Sequence, residues 1–358
     1  MIARILTIFS TRSNRLPPAA YLCLYCLTSA VHGQQPPAES ATPKTESMLL
    51  VVGAPGEQTY EAEFGDWANQ WEILCKRQQW TLQSIAPEEE TPSGVSQKQR
   101  LQSAIQSHVG NSQRLWIVLL GHGTFARNIA KFNLAGEDVS AAELAGWLKP
   151  VTTPLVIVNC SSSSGPFMTA LAGPNRTVVT ATRAGSELNY SRFGKFLSAA
   201  ISDERADIDH DEEVSLLESF LMASAKTEQF YKDDARLTTE HALLDDNGDG
   251  AGTSSDFYQG TRPSKTAKSG KSIDGTSAGK IILFSSPNVA IFSPDQQLRR
   301  DAVEQRIEKL RLVKAELSEE VYLDQLEVLV LELAAIYDVA ETAQQQSQQL
   351  DASSDGSE

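Results

Sequence analysis

The chain has 358 residues, 41% apolar and 22% charged, enough to bury a sizeable core in one large domain or two ordinary ones. That excludes a mini-protein and a wholly disordered chain. Thirty-one Lys and Arg stand against 46 Asp and Glu, and a net charge of −15 repels phosphate backbones and anionic lipid surfaces, so no nucleic-acid partner is expected.

Arg4, Arg12 and Arg15 precede an apolar stretch over 16–30 that is short for a membrane span and interrupted by Pro17 and Pro18. This pattern predicts an export signal over 1–33, with Val31 and Gly33 at the −3 and −1 positions of cleavage, and hence a periplasmic or extracellular protein. The alternative is an uncleaved anchor, and only then is a membrane partner expected. Residues 34–47, rich in Pro, Ala, Thr and Glu, read as a flexible linker. Cys23 and Cys26 leave with the signal. Of the two that remain, Cys75 falls on the apolar face of a helical pattern with Phe64, Trp67, Trp71 and Leu74 and reads as core.

From there strands and helices alternate. Strands are predicted over 48–52, 80–85, 115–120, 154–158 and 177–182, and helices over 60–80, 95–109, 140–148 and 191–201. The unbroken apolar run Leu115–Leu120 needs cover on both faces, which suits a central parallel strand. Ser140 and Glu143 have the spacing of a capping box. The alternation predicts an α/β domain over 48–290 with a mostly parallel sheet between two helical layers. Within it, 202–213 is acidic, 214–230 helical, 240–256 a loop, 260–279 a mobile Ser/Gly/Lys-rich loop (261–279 at its core), and 280–284 a last strand.

Beyond it, Leu298, Val303, Ile307, Leu310, Val313 and Leu317, then Leu323, Leu326, Leu329, Leu333 and Ile336, repeat at helical spacing over 294–344. A break near Ser318 fits a helical hairpin as well as one coiled-coil helix, and the segment offers a docking surface to a protein partner. Residues 345–358 read as a disordered tail.

A parallel sheet gathers reactive groups beyond the carboxyl ends of its strands. Two of these strands end in His122 and Cys160, and 38 positions between them leave room for one helical crossover. An imidazole within reach of a thiol can take its proton and raise the thiolate, the attacking form. Acyl transfer also needs donors for the oxyanion, and the N–H groups of Gly123 and Cys160 are candidates. Singly, each residue has a plainer reading: a turn-capping His, and a small core Cys. An α/β-hydrolase would place its nucleophile before the histidine, and neither His210 nor His241 sits at metal-ligand spacing from His122.

The segments Leu115–Gly123 and Pro154–Ser162, with Val178–Glu187 and Arg192-Phe193-Gly194 behind them, resemble the legumain-like branch of the caspase-fold cysteine peptidases, in its bacterial form. The resemblance covers about residues 48–256. It implies a caspase-like three-layer sandwich and an endopeptidase that cleaves peptide or protein substrates through a thioester, with no cofactor required for the chemistry. Carried over, His122 is the general base and acid, Cys160 the nucleophile, and Ser161, Thr182, Arg183 and Ser186 contact substrate. Three departures stand out: Ser161 and Lys195 occupy positions where legumains carry acids, and Gly121 replaces the acid before the histidine. The competing reading is a catalytically silent scaffold of the same fold that binds a protein partner through 294–344.

Asp245-Asp246-Asn247-Gly248-Asp249-Gly250 has the spacing of a calcium loop. Asp245, Asn247, Asp249, the Ala251 carbonyl, Thr253 and Asp256 would take positions 1, 3, 5, 7, 9 and 12, with Asp in place of the usual Glu at 12. A structural calcium and a solvated turn are both open. The turn Gly53-Ala54-Pro55-Gly56 lacks a phosphate loop's remaining residues and reads as a strand-to-helix connection.

Overall fold

A computed structural model describes residues 46–87, 94–108, 113–267, 272–286 and 292–355. The predicted export signal over 1–33 lies outside them, as do 34–45 of the predicted linker, 268–271 of the predicted mobile loop and 356–358 of the predicted tail. In chain order the elements are β1 Ser47–Val52, α1 Gln58–Gln78, β2 Thr81–Ile85, α2 Gln97–Ser107, β3 Leu115–Leu120, β4 Gly123–Ala126, β5 Ile129–Phe132, β6 Val139–Ser140, α3 Ala141–Leu148, β7 Leu155–Asn159, α4 Gly165–Leu171, β8 Arg176–Thr180, α5 Phe193–Ala200, β9 Glu213–Ser215, α6 Leu216–Asp233, β10 Leu243–Asp245, β11 Tyr258–Gln259, β12 Arg262–Pro263, β13 Ile282–Ser285, α7 Pro294–Leu312 and α8 Glu319–Asp355.

The central sheet has the order β10-β8-β7-β3-β1-β2, parallel throughout except for β10, which runs antiparallel to β8 at the edge. Alternation along each strand assigns its side chains to one of two cores. Met48, Leu50, Trp116, Val118, Leu120, Val156 and Val158 face α1, α5 and α6. Leu49, Val51, Leu115, Ile117, Leu119, Leu155 and Ile157 face α2, α3 and α4. Every residue of β3 is buried, as its unbroken apolar run requires. The fold is therefore a three-layer α/β sandwich with a mostly parallel sheet.

Capping fixes where several helices begin. Ser140 and Glu143 form the expected box at α3, Ser96 and Gln99 form one at α2, and Ser215 and Glu218 form one at α6. Three features depart from the sequence reading. Residues 123–140 hold a small antiparallel sheet, β4-β5-β6, between β3 and α3. The last predicted strand, β13, pairs antiparallel with β9 instead of joining the central sheet. The loop expected over 240–256 contains the edge strand β10, and Leu244 pairs with both Val179 and Thr253. Short segments of this kind carry too few residues for a hydrophobic period to show.

Two helices follow the sandwich. α7 and α8 pack through Val303, Ile307 and Leu310 against Tyr322, Leu326, Leu329, Leu333 and Ile336, and Arg306 pairs with Glu332 at 2.7 Å. α8 continues to Asp355, so most of the predicted disordered tail is helical. No helix among the described residues is long and apolar enough to cross a membrane.

Candidate active site at the carboxyl edge of the sheet

β3 delivers His122 to the carboxyl edge of the sheet, and β7 leads into the run Cys160 to Ser164. The His122 ring lies against Tyr60 and Phe64 of α1 and against Tyr190, with ring centroids 4.7, 5.1 and 5.6 Å away. Its Nε2 is 3.2 Å from the Pro55 carbonyl oxygen. A carbonyl only accepts, so this contact selects the tautomer with the proton on Nε2 and leaves Nδ1 as the acceptor. The turn read as a strand-to-helix connection is thus the element that orients the imidazole, in a chain with no acid before the histidine. Gly121 sits where a side chain would be tight: a Cβ there would lie 3.1 Å from the Gly53 Cα and 3.2 Å from the Phe132 ring. Burial among the aromatic rings lowers the His122 pKa, partly countered by the Pro55 carbonyl and the charge of Glu57.

Cys160 does not reach that edge. It continues the alternation of Val156 and Val158 and enters the core beneath α1 and α5, with its side chain fully buried. A Cβ on Gly194 of α5 would come within 2.7 Å of the Cys160 Cβ and 2.9 Å of the Trp67 ring, so the helix closes directly over the cysteine. Burial, with the negative charge of Glu240, pushes the thiol pKa far above its ordinary value, the opposite of what a nucleophile needs. The Cys160 N–H donates to the Leu119 carbonyl at 2.9 Å as a rung of the β3–β7 ladder and is not available to an oxyanion. The sequence reading places both groups at the sheet edge; the structure places them inside the ladder and the core. Period-two alternation from Val156 through Val158 is the signal for this.

The side chain that meets Gly123 is Ser162. Its Oγ donates to the Gly123 carbonyl at 3.1 Å and lies 3.4 Å from the Gly123 N–H. A Cβ at Gly123 would lie 2.1 Å from the Ser162 carbonyl oxygen and 2.8 Å from Ser161 Oγ, so only glycine fits there. No sequence period distinguishes Ser162 among four consecutive serines. Cys75, the other described cysteine, is buried in the α1 core with its thiol pushed up to about 12, and neither cysteine forms a disulfide.

The remaining expected contacts divide. Ser161 is buried, and both its N–H and its hydroxyl donate to Asn159 Oδ1, at 3.0 and 2.7 Å. Thr182 is also buried; its Oγ1 accepts from the Gly165 N–H at 3.0 Å and its N–H donates to Ser164 Oγ at 3.1 Å, which ties the loop after β8 to the start of α4. Both therefore brace loops. Arg183 and Ser186 are exposed. Glu187, which no motif marks, binds the loop together: it accepts from the Arg183 and His241 N–H groups, pairs with His241 Nδ1 at 2.6 Å, and its carbonyl accepts from the Ser163 N–H at 2.9 Å. Lys195 lies on α5, the helix that covers Cys160.

The aspartate-rich loop satisfies itself. Asp245 is buried and accepts from the N–H groups of Gly248 and Gly250, Asn247 Oδ1 accepts from Asp249, and Asp249 accepts from Ala251. Asp256 turns to Lys265 Nζ at 2.7 Å. Asp246 and Asp274 lock the loop onto the following segment: Asp246 accepts from the N–H groups of Gly275, Ser277 and Ala278, while Asp274 accepts from those of Asp246 and Asn247. Of the six expected ligand positions, the carboxylates of Asp245 and Asp249 accept from backbone N–H groups and that of Asp256 from Lys265. Among the described residues the acidic group whose ligand atoms do converge, within 4.8 Å, is Asp207, Asp209 and Asp211.

No family model and no curated protein sequence matches the chain. Solved structures do resemble it. The Drosophila initiator caspase Dronc is 15% identical, with 58% of this chain and 81% of that one covered at a TM-score of 0.37. The corresponding values for drICE are 10%, 54%, 87% and 0.34. For Raptor of Chaetomium thermophilum they are 8%, 45%, 18% and 0.31, so the match spans under a fifth of that chain.

Proposed function

We propose that the chain is an exported, caspase-like protein that has kept the architecture of a cysteine peptidase without its thiol chemistry and works as a binding scaffold through its C-terminal helices. The observation that carries this reading is the position of Cys160, sealed under Gly194 and Trp67 while Ser162 takes the place beside Gly123. A serine hydroxyl is a far weaker nucleophile than a thiolate and needs a base that holds its proton. Here the Ser162 hydroxyl is spent on the Gly123 carbonyl. The exposed apolar surface of α8 supplies the binding face.

The test is a peptide library of mixed side chains before the scissile bond, incubated with the full chain under reductant, with and without calcium, alongside a thiol-directed peptide electrophile. No cleavage and no labelling are expected. Cleavage abolished by Cys160→Ala would restore the peptidase reading. Cleavage abolished by Ser162→Ala and kept by Cys160→Ala would replace the scaffold with a serine hydrolase.

A further inference from the structure

α8 carries a second apolar stripe that its hairpin partner does not cover. Tyr322, Leu326, Leu329, Leu333 and Ile336 pack against α7. Val321, Val328, Leu331 and Val339 are 42%, 60%, 62% and 60% exposed, and Ala335 between them is exposed too. At 3.6 residues per turn these five fall within an arc of about 80°, roughly 130° round the helix from the packed stripe and about 27 Å long. An apolar stripe of this width on a helix is what a partner's apolar face requires.

Charge selects the partner. The sequence of α8 contains no Lys, Arg or His. Glu320, Glu327 and Asp338 lie on one edge of the exposed stripe at i, i+7 and i+18, and Asp324 lies within it. Glu332, on the other edge, is held by Arg306. A second copy of α8 would set carboxylates against carboxylates, and an anionic bilayer would be repelled by the same row. A helix with Leu, Ile or Val on one face and Lys or Arg along its margin satisfies both the stripe and the row.

We propose that the Val321, Val328, Leu331, Ala335 and Val339 face of α8 docks a basic amphipathic helix of a partner protein. This rests on the scaffold reading and gives its partner a chemistry. Apolar contact supplies the affinity, and the row of carboxylates supplies orientation and discrimination.

The full chain is titrated with a Leu/Lys amphipathic helical peptide, a Leu/Glu peptide of the same apolar pattern, and vesicles of anionic and of zwitterionic lipid, with sedimentation of the chain alone as a further arm. Binding is expected for the Leu/Lys peptide only, weakening as salt rises. Val328→Asp with Leu331→Asp should weaken it by about tenfold or more. Glu320→Lys, Glu327→Lys and Asp338→Lys together, which leave the apolar stripe intact, should transfer preference to the Leu/Glu peptide. Circular dichroism confirms that both variants stay folded. Equal binding of the two peptides, binding insensitive to the variants, vesicle binding, or self-association lost in the Val328/Leu331 variant would each overturn the proposal. The library assay is independent of these arms: an inert chain that ignores the peptide loses only the docking proposal, and a cleaving chain that binds it loses only the silent reading.

Discussion

Gly194 and Cys160 are in direct van der Waals opposition: any side chain on the helix residue would overlap the Cβ of the strand residue, at 2.7 Å. That contact decides whether the thiol belongs to the core or to the sheet edge. A thiol so enclosed reacts only when α5 lifts away, so labelling of Cys160 by a disulfide reagent should track global unfolding in urea. Gly194→Ala should cost about 1–3 kcal/mol through overpacking. Rapid stoichiometric labelling of Cys160 in the native wild-type chain would contradict the burial.

If the Ser162 position against the Gly123 backbone is open to chemistry, a thiol placed there should behave unlike Cys160. Ser162→Cys in a Cys160→Ala background puts sulfur against the Gly123 backbone and on the same sheet edge as His122, whose Nδ1 is the accepting nitrogen. Native-state alkylation by iodoacetamide should rise well above that of the wild-type chain, and His122→Ala should slow it. An alkylation rate no faster than that of the wild-type chain would show that the hydroxyl's position is not open to chemistry.

The layered architecture was legible because its signals are long. Leu115–Leu120 and its neighbours are continuous apolar strands, and the Ser140–Glu143 box marks a helix start by two residues alone. The position of His122 just past β3 was legible, and the contacts that orient its ring were not. Cys160 misled because a cysteine after a strand looks the same from sequence whether the next step of the pleat turns it inward or outward, and one residue of register reverses the answer. Pro55, Tyr190 and Glu187 act through contacts between segments distant in sequence, which no local spacing encodes. The aspartate loop's alternating acceptors close Asx turns on backbone N–H groups, and the same spacing suits the ligands of an ion, so the pattern alone does not separate the two.

Another residue the sequence does not mark is Glu240. It is buried, and its carboxylate accepts from Ser191 Oγ at 2.6 Å, from the Arg192 and Phe193 N–H groups at 2.9 and 3.1 Å, and from the Tyr231 hydroxyl at 3.0 Å. It thereby satisfies donors at the start of α5, where a negative charge also complements the helix dipole. Glu240→Ala leaves these donors buried without a partner and should cost about 3 kcal/mol or more in urea unfolding, while Glu240→Gln, which keeps one acceptor, should cost less. A loss under 1 kcal/mol for the alanine variant would mean that the clamp contributes little.

Asp274 gives the fold a pH dependence of definite sign. It is 3% exposed, accepts from the Asp246 and Asn247 N–H groups and from Thr253 Oγ1 at 2.6 Å, and burial pushes its pKa from an ordinary 3.8 up to about 6. Below about pH 4 the group is protonated in folded and unfolded chains alike. Between about pH 4 and 6 the folded chain holds a proton that the unfolded chain has released, so the contribution present at low pH drains away as pH rises through that window. A shift of this size amounts to about 3 kcal/mol. Asp274→Asn resembles the protonated side chain and cannot ionise. The stability difference between wild type and Asp274→Asn, from urea unfolding at pH 4 and at pH 7, should therefore move by about that amount in favour of the asparagine variant at the higher pH. A difference that stays constant across the two pH values would place the Asp274 carboxyl in its ordinary range and remove it as the source of the slope.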